Sequence, residues 1–367
     1  MKPEEVMVAG KDYFAWPYEE QTKVKHNVLS TYFKIWVSKL GKYNDTLFMD
    51  CHGGCGAYID KNTNEIHFGS SVLVDKIATE VNKNRSRKNY ICVCEKEEKN
   101  INNLQKVWKD QNCSRLCRFK NEDFNVVLNE KKLKEFYQSN PSLFFMDPFG
   151  YDLKMQNLKS LMNHKGNEII INFMFDWINR FLCRENLYGQ VNEYFGSDDW
   201  QKALKLKGSE REIFLVDLYK KNLKKITGAK FVFPYRLSYP EKNQTYYYLI
   251  HATNDIQGIT HMKNAFACSN YGRVEYIGKR QDNISLFDLG DFKNHDLENN
   301  LCERFSGRRI TFENVWAEIV EDIPYLEKDL SDAINYLSNC GRLVVTRKTS
   351  KRGSYRGEDV IYFGEKQ

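Results

Sequence analysis

No stretch of this 367-residue sequence approaches the roughly 18 consecutive apolar residues that a bilayer span needs. Its opening, MKPEEVMVAGKDYFAWPYEE, is polar and lacks the apolar centre of a signal peptide. A soluble, cytoplasmic chain is therefore expected, and without an export signal the ten cysteines are expected as reduced thiols, not a disulfide frame. Internal repeats and low-complexity tracts are lacking too. So is a strong charge: the formal net value of +6 is mild for this length, and any role with nucleic acid has to come from local clusters of Lys and Arg. Two such clusters exist, Arg85 to Lys88 and Arg342 to Arg356. The histidines form no nucleophile–base pattern, the acids form no two-metal cluster of the kind that supports cleavage, and no second Cys or His pair lies beside Cys51, His52 and Cys55. No metal is expected.

What is present is apolar material: 41% hydrophobic residues, rich in Tyr and Phe, against 28% charged, enough for a sizeable core. The length suits one large domain and a small one, taken as 1–295 and 308–367. Val24, Val28, Leu29, Tyr32, Phe33 and Trp36 fall near one helical face between Glu19 and Leu40. TLFMD then reads as a buried parallel strand running into the Gly-rich turn CHGGCGAY, and KNTNE as a surface loop or hairpin. SSVLVDKIATEVN reads as a helix with a Ser cap and NYICVCE as a second buried strand. Helices through Ile101, Leu104, Val107 and Trp108, and from about Asn129 to Gln138, flank a short strand near Leu116 to Phe119. SLFFMDPFG and NEIIINFMF are further apolar strands, and FVFPYRL and TYYYLIHAT are late ones of aromatic and β-branched character. This alternation predicts an α/β fold, a Rossmann-like, largely parallel sheet with helices on both faces and antiparallel strands at its end. DLGDFKNHDLENNLCERFSGR would be a linker or connecting helix. From Arg308 two helices, a Gly that ends the second, and a two-stranded ribbon with a basic tip describe a winged helix-turn-helix.

Four strand ends carry the candidate chemistry. Asp50 closes the first strand, and Gly54 and Gly56 in the next turn let the backbone approach a ligand, although a structural tight turn reads equally well. Glu95 closes the following strand, where a carboxylate can accept two ribose hydroxyls or stand as a solvated strand-end acid. Its separation from the glycine turn exceeds the usual spacing of roughly 20 residues and requires an insertion. Asp123 can bond an adenine amino group while Phe124 packs on the base, or it can cap a helix. Asp147-Pro148-Phe149-Gly150 is the sharpest signal, because an acid and an aromatic at a strand's C-terminal edge sit where open α/β sheets bind ligands. It resembles the Asp-Pro-Pro-Tyr motif of methyltransferases acting on exocyclic amines, with Phe149 and Gly150 departing at the third and fourth positions. There the carboxylate and proline carbonyl take the amine's hydrogens while the aromatic stacks on the base. In the tail, Arg342, Arg347, Lys348, Lys351, Arg352 and Arg356 accompany Tyr355 with no acid among them. That suits a wing that neutralises phosphates, or a solvated hairpin in a protein-docking module.

With these residues assembled, the chain resembles the three-Cys-motif partner family (TcmP), prokaryotic proteins with a methyltransferase-like fold often encoded beside a three-cysteine, radical-SAM-like protein. The resemblance rests on Thr22, Lys25, His26, Tyr32 and Trp36; Asp50, Gly54, Gly56 and Tyr58; Gly69-Ser70; Glu95; and Asp147 to Gly150. It continues through Asn172, Ile178-Asn179-Arg180, Tyr247-Tyr248-Leu249, Thr253, Gly258 and Met262-Lys263. The usual Phe-Ala-Gly-Pro-Gly turn is His52 to Gly56 here, and the usual Gly-Ser-Pro is Gly69-Ser70-Ser71.

Residues and resemblance lead to one expectation: methyl transfer from S-adenosylmethionine (SAM) to nucleic acid. Asp50, Gly54, Gly56, Glu95, Asp123 and Phe124 would hold the cofactor, and Asp147, Pro148 and Phe149 would orient the acceptor. The winged helix would grip DNA or RNA. The rival is an inactive adaptor on the same fold that binds DNA, RNA or a linked partner protein. A nuclease or another SAM-using enzyme in a phage-defence setting is the third reading.

Overall fold

The computed structural model describes residues 4–238, 244–268, 274–275, 295–322, 325–348 and 355–364, so Lys351 and Arg352 lie outside the described residues. Two compact units make up the chain, Met1–Gly272 and Arg273–Gln367. No helix among the described residues is long and apolar enough to cross a membrane.

In the first unit the apolar runs become strands buried on both faces. These are β3 (Thr46–Asp50), β6 (Asn89–Cys94), β8 (Ser142–Met146) and β9 (Glu168–Phe173), joined by β7 (Cys117–Lys120), β10 (Phe231–Ser238) and β11 (Thr245–Thr253). Every residue of β3, β8 and β9 is buried, which is why these segments show no polar alternation. Their order is β10-β11-β9-β8-β3-β6-β7. β7, β6, β3, β8 and β9 pair in parallel, and β11 runs antiparallel to both β9 and β10. This is a Rossmann-like, methyltransferase-type sheet. The chain fills one side from β3 outward through β6 and β7, then returns to lay β8 and β9 on the other side, so the strand order reverses between β3 and β8. A crevice opens outside the carboxyl ends of the strands at such a reversal.

Helices flank the sheet. α1 (Glu20–Leu40) buries Val24, Val28, Leu29, Tyr32, Phe33 and Trp36, the face expected from periodicity, and packs on α2 (Ser70–Asn82) and α9 (Ile256–Cys268). α3 (Glu98–Asp110) follows β6, and α4 (Phe124–Val127) and α5 (Lys131–Ser139) lie between β7 and β8. α6 (Phe175–Phe181), α7 (Tyr188–Phe195) and α8 (Gly208–Thr227) come after β9, with α8 on β10. Arg85 donates to the carbonyls of Val37 and Ser38 at 3.3 and 3.2 Å, so this basic segment caps the end of α1 near the start of β3, far along the strand from its C-terminal end.

The insertion required between the glycine turn and Glu95 is visible as a hairpin, β4 (Ala57–Ile59) and β5 (Ile66–Phe68). It joins β1 (Val6–Met7) and β2 (Phe14–Pro17) in a small sheet of order β1-β2-β4-β5, with β2 parallel to β4.

The second unit contains β12 (Val274–Glu275), α10 (His295–Phe305), β13 (Arg309–Thr311), α11 (Phe312–Ile319), α12 (Glu327–Asn339), β14 (Leu343–Thr346) and β15 (Val360–Phe363). α10 falls within the stretch read as a linker or connecting helix. β13, β15 and β14 form an antiparallel sheet in that order, and Phe363 stacks on Phe305 of α10 at 5.3 Å between ring centres.

Candidate functional site

The carboxyl ends of β3, β6 and β8 bring Asp50, Glu95 and Asp147 to one edge, around the turn after β3. Gly54 and Gly56 hold φ of +61° and +82°, the left-handed region that glycine adopts without strain. A methyl on Gly56 would stand 2.3 Å from Leu104 Cδ1, and one on Gly54 3.0 Å from the Trp16 ring, so the turn is clamped between α3 and β2. Asn103 of α3 fastens it further, accepting from the Phe14 N–H and donating to the Phe14 and Cys55 carbonyls, each at 2.8 Å.

Each candidate acid has partners within the chain. Asp50 accepts from Ser70 Oγ and, at 3.4 Å, from the His52 N–H. Ser70 therefore does not cap α2, contrary to expectation: the N-cap is Gly69, with no side-chain bond, because the Ser70 hydroxyl is drawn to the buried carboxylate. Burial pushes Asp50 up to about 6 against those two hydrogen bonds. Glu95 accepts from the Gly54 N–H on one oxygen and the Glu97 N–H on the other, both at 2.9 Å. Asp123 caps α4 through the Asn125 N–H at 2.8 Å and pairs with Lys96 at 2.8 Å. Burial pushes its carboxyl upward, but Lys96 and Asn125 outweigh this and hold it below the usual range. Phe124 is buried against His52, with ring centres 4.7 Å apart.

Asp147 follows β8 directly. One carboxylate oxygen pairs with Lys25 of α1 and the other accepts from Asn172 Nδ2 of β9. Burial pushes this carboxyl up too, yet Lys25 and Asn172 prevail and keep it below the ordinary carboxylate range. Pro148 is buried, and Phe149 is 66% exposed.

His52, weighed from sequence only as a metal ligand, has a different part. Its Nδ1 accepts the Asp147 N–H at 3.1 Å, and burial pushes the ring down to about 4. The neutral ring therefore carries its proton on Nε2, an atom that is buried and without a partner among the described residues. Asn172 Oδ1, Ser71 Oγ and His26 Nδ1 are likewise buried and unpartnered. Lys25, Asn172 and Asn103 carry no role that the local sequence suggests, because each works through a partner distant in sequence. The one local hint was a Lys-His pair, Lys25-His26, beside the apolar stripe of α1, with His26 itself buried.

Among the described residues no group of three or more His, Cys, Asp or Glu is placed to hold a metal ion. Cys51 and Cys55 are buried thiols, and burial pushes Cys55 up to about 12. In the second unit Arg342, Arg347, Lys348 and Arg356 are exposed. Lys348 pairs with Glu358 at 2.7 Å, and the Arg347 guanidinium lies 4.5 Å from the Tyr355 ring centre.

No family model matches the sequence and no curated protein does. Among solved structures the chain is similar to a Legionella pneumophila protein of family model DUF519, at 13% identity over 67% of this chain and 93% of that one, TM-score 0.38. It is also similar to TYW2 of M. jannaschii in complex with AdoMet, at 8% identity over 68% and 84%, TM-score 0.33. A Bacillus cereus O-methyltransferase in complex with SAH shows 11% identity over 61% and 80%, TM-score 0.33. Likenesses of this size carry no argument about activity or cofactor.

Proposed function

We propose that the chain is a SAM-dependent methyltransferase-like protein of the TcmP type, acting in the cytoplasm on nucleic acid with an exocyclic amine of a base as acceptor. The observation that carries this reading is Asp147. It lies at the reversal of strand order beside the glycine turn, its carboxylate is kept ionised by Lys25 and Asn172, and an exposed Phe149 stands two residues on.

The residues present fit the cofactor. An unpartnered donor on His52, an unpartnered acceptor on Asn172 and the free Ser71 hydroxyl lie buried on segments that meet at this edge, and a ligand bearing amino, carboxylate and hydroxyl groups satisfies all three kinds. SAM supplies a methyl already activated on a sulfonium, so no triad or metal is required. Asp50, Gly54, Gly56 and Glu95 would hold it, with Asp123 and Phe124 at the adenine end. Each Glu95 oxygen accepts one N–H, leaving lone pairs for ribose hydroxyls. Asp147 and the Pro148 carbonyl would take the acceptor amine's hydrogens, Phe149 would stack on its base, and the work of the site would be alignment.

The second unit, read as a winged helix within 308–367, would grip nucleic acid through Arg342, Arg347, Lys348, Lys351, Arg352 and Arg356, or dock a three-cysteine-motif partner protein. A second reading, an inactive adaptor, is favoured by one fact: the Asp147, Glu95 and Asp123 carboxylates all already serve partners inside the chain. Calorimetric titration with SAM decides between them. Micromolar binding that an Asp50→Ala, Glu95→Ala variant loses supports the enzyme and leads to methyl-transfer assays on DNA and RNA. A folded wild type that binds no SAM overturns it in favour of the adaptor.

A further inference from the structure

We infer that the outward face of the sheet β13-β15-β14 is a platform for single-stranded nucleic acid, with Tyr362 as the ring on which a base stacks. The inference rests on reading the second unit as a nucleic-acid module and names a surface distinct from its basic strand tip.

Strand register builds the platform. Tyr362 of β15 lies opposite Arg309 of β13 on one side and Val344 of β14 on the other, so the three side chains form one cross-strand row on the same face. The alternating residues Ile310, Leu343, Ile361 and Phe363 are buried on the other face. Val344 is 62% exposed and Tyr362 43%, and Arg309 is exposed beside them. Neighbouring strand residues on the outward face, Thr311, Thr346 and Val360, carry no charge, and Arg342 immediately precedes β14. Arg309 and Arg342 make no ion pair among the described residues, whereas Lys348 is paired with Glu358 and Arg308 with Glu318. A ring flanked by an aliphatic side chain and unpaired guanidinium groups, with no carboxylate in its strands, matches the chemistry of a splayed-out base on a phosphate backbone.

The helices favour single strands over a duplex. α12, the second helix of the pair and the one that would enter a groove, carries Glu327, Asp329 and Asp332 against a single Lys328. Three acids against one base oppose entry into a groove walled by phosphates.

The test uses the full chain and fluorescence anisotropy with a labelled mixed-sequence oligonucleotide, as RNA and as DNA, single-stranded and as its duplex. The expected result is tighter binding of the single strand, weakened roughly tenfold to a hundredfold by Tyr362→Ala and largely kept by Tyr362→Phe, since each stacked base contributes on that scale. Arg309→Ala lowers the slope of log affinity against log salt by about 0.7, the increment for one phosphate contact on a single strand. Unchanged single-strand affinity in a folded Tyr362→Ala variant overturns the platform and leaves the strand tip as the grip. Preference for the duplex also overturns it. A wild type that binds neither form at low salt removes the nucleic-acid reading of the unit itself. A dimer in sedimentation that Tyr362→Ala dissociates assigns the face to a second copy and overturns the proposal.

Discussion

Asp50→Asn should stabilise the protein at neutral pH while weakening whatever the site holds. Asp50 is fully buried at the end of β3, and burial raises its carboxyl from 3.8 to about 6 despite the hydrogen bonds from Ser70 and His52. The unfolded chain releases that proton near 3.8, but the folded chain keeps it until about 6. Between those values the folded state binds more protons, so stability falls as pH rises. Below about 3.8 there is no penalty, and above about 6 it is complete. At about 1.36 kcal/mol per pH unit the interval corresponds to about 3 kcal/mol. Asparagine removes the charge but keeps one oxygen for two donors, and a lost hydrogen bond returns about 1 kcal/mol. A net gain of about 2 kcal/mol at pH 8 remains, which is a rise in Tm of about 4–8 °C for a unit of this size. Scanning calorimetry of wild type and variant at pH 8 and pH 5 checks it: the margin must be larger at pH 8. A variant that melts below wild type by the same amount at both pH values refutes the reasoning.

Two further substitutions probe the clamp and the ion pair. Gly56→Ala brings a methyl to 2.3 Å from Leu104 Cδ1 at a φ of +82°, so a loss of about 2–4 kcal/mol is expected from strain and overpacking together; an unchanged melting curve would falsify the placement of the turn against α3. Lys25→Met leaves the Asp147 carboxylate with Asn172 alone and should destabilise by about 2–4 kcal/mol. Combining it with Asp147→Asn should cost less than the sum, with a coupling of about 1–3 kcal/mol in urea titrations, whereas strict additivity would mean that the pair is not formed in solution.

The legible parts of this fold are those whose physics is local. β3, β8 and β9 lie in the middle of the sheet, so they read as unbroken apolar runs, and the first polar residue after each run marks the edge where ligands bind. Asp50 and Asp147 are the candidate acids picked out in this way at the ends of β3 and β8, and Glu95 is picked out likewise after β6. β1 and β2 are not, because strands of two and four residues in a polar-looking segment become strands only through pairing: β2 with β4, some 40 residues later by register, and β1 with β2. The same limit hid the inner partners of the acids. Lys25 reads as a solvent-facing position beside an apolar stripe, and its counter-charge Asp147 lies 122 residues away. Asn172 is the penultimate residue of a strand that hydrophobicity alone explains. The Ser70 cap failed for the mirror reason: a local rule was overruled by a buried carboxylate 20 residues earlier.

What separates a catalyst from an adaptor on this scaffold is whether the acids can take on a ligand without releasing their present partners. A carboxylate offers about four lone-pair sites. Asp147 has one used by Lys25 and one by Asn172, and Glu95 has two used by backbone N–H groups. Those bonds are made by fixed elements, α1, β9 and the glycine turn, so they hold each carboxylate in one orientation with lone pairs to spare, as preorganised sites require. Asp123 is different: its cap and its Lys96 pair lie on a four-residue helix and a part-exposed side chain. On the proposed reading a ligand at Asp123 would have to displace Lys96 or share it, so the end of the site assigned to adenine is where a change of partners would be expected.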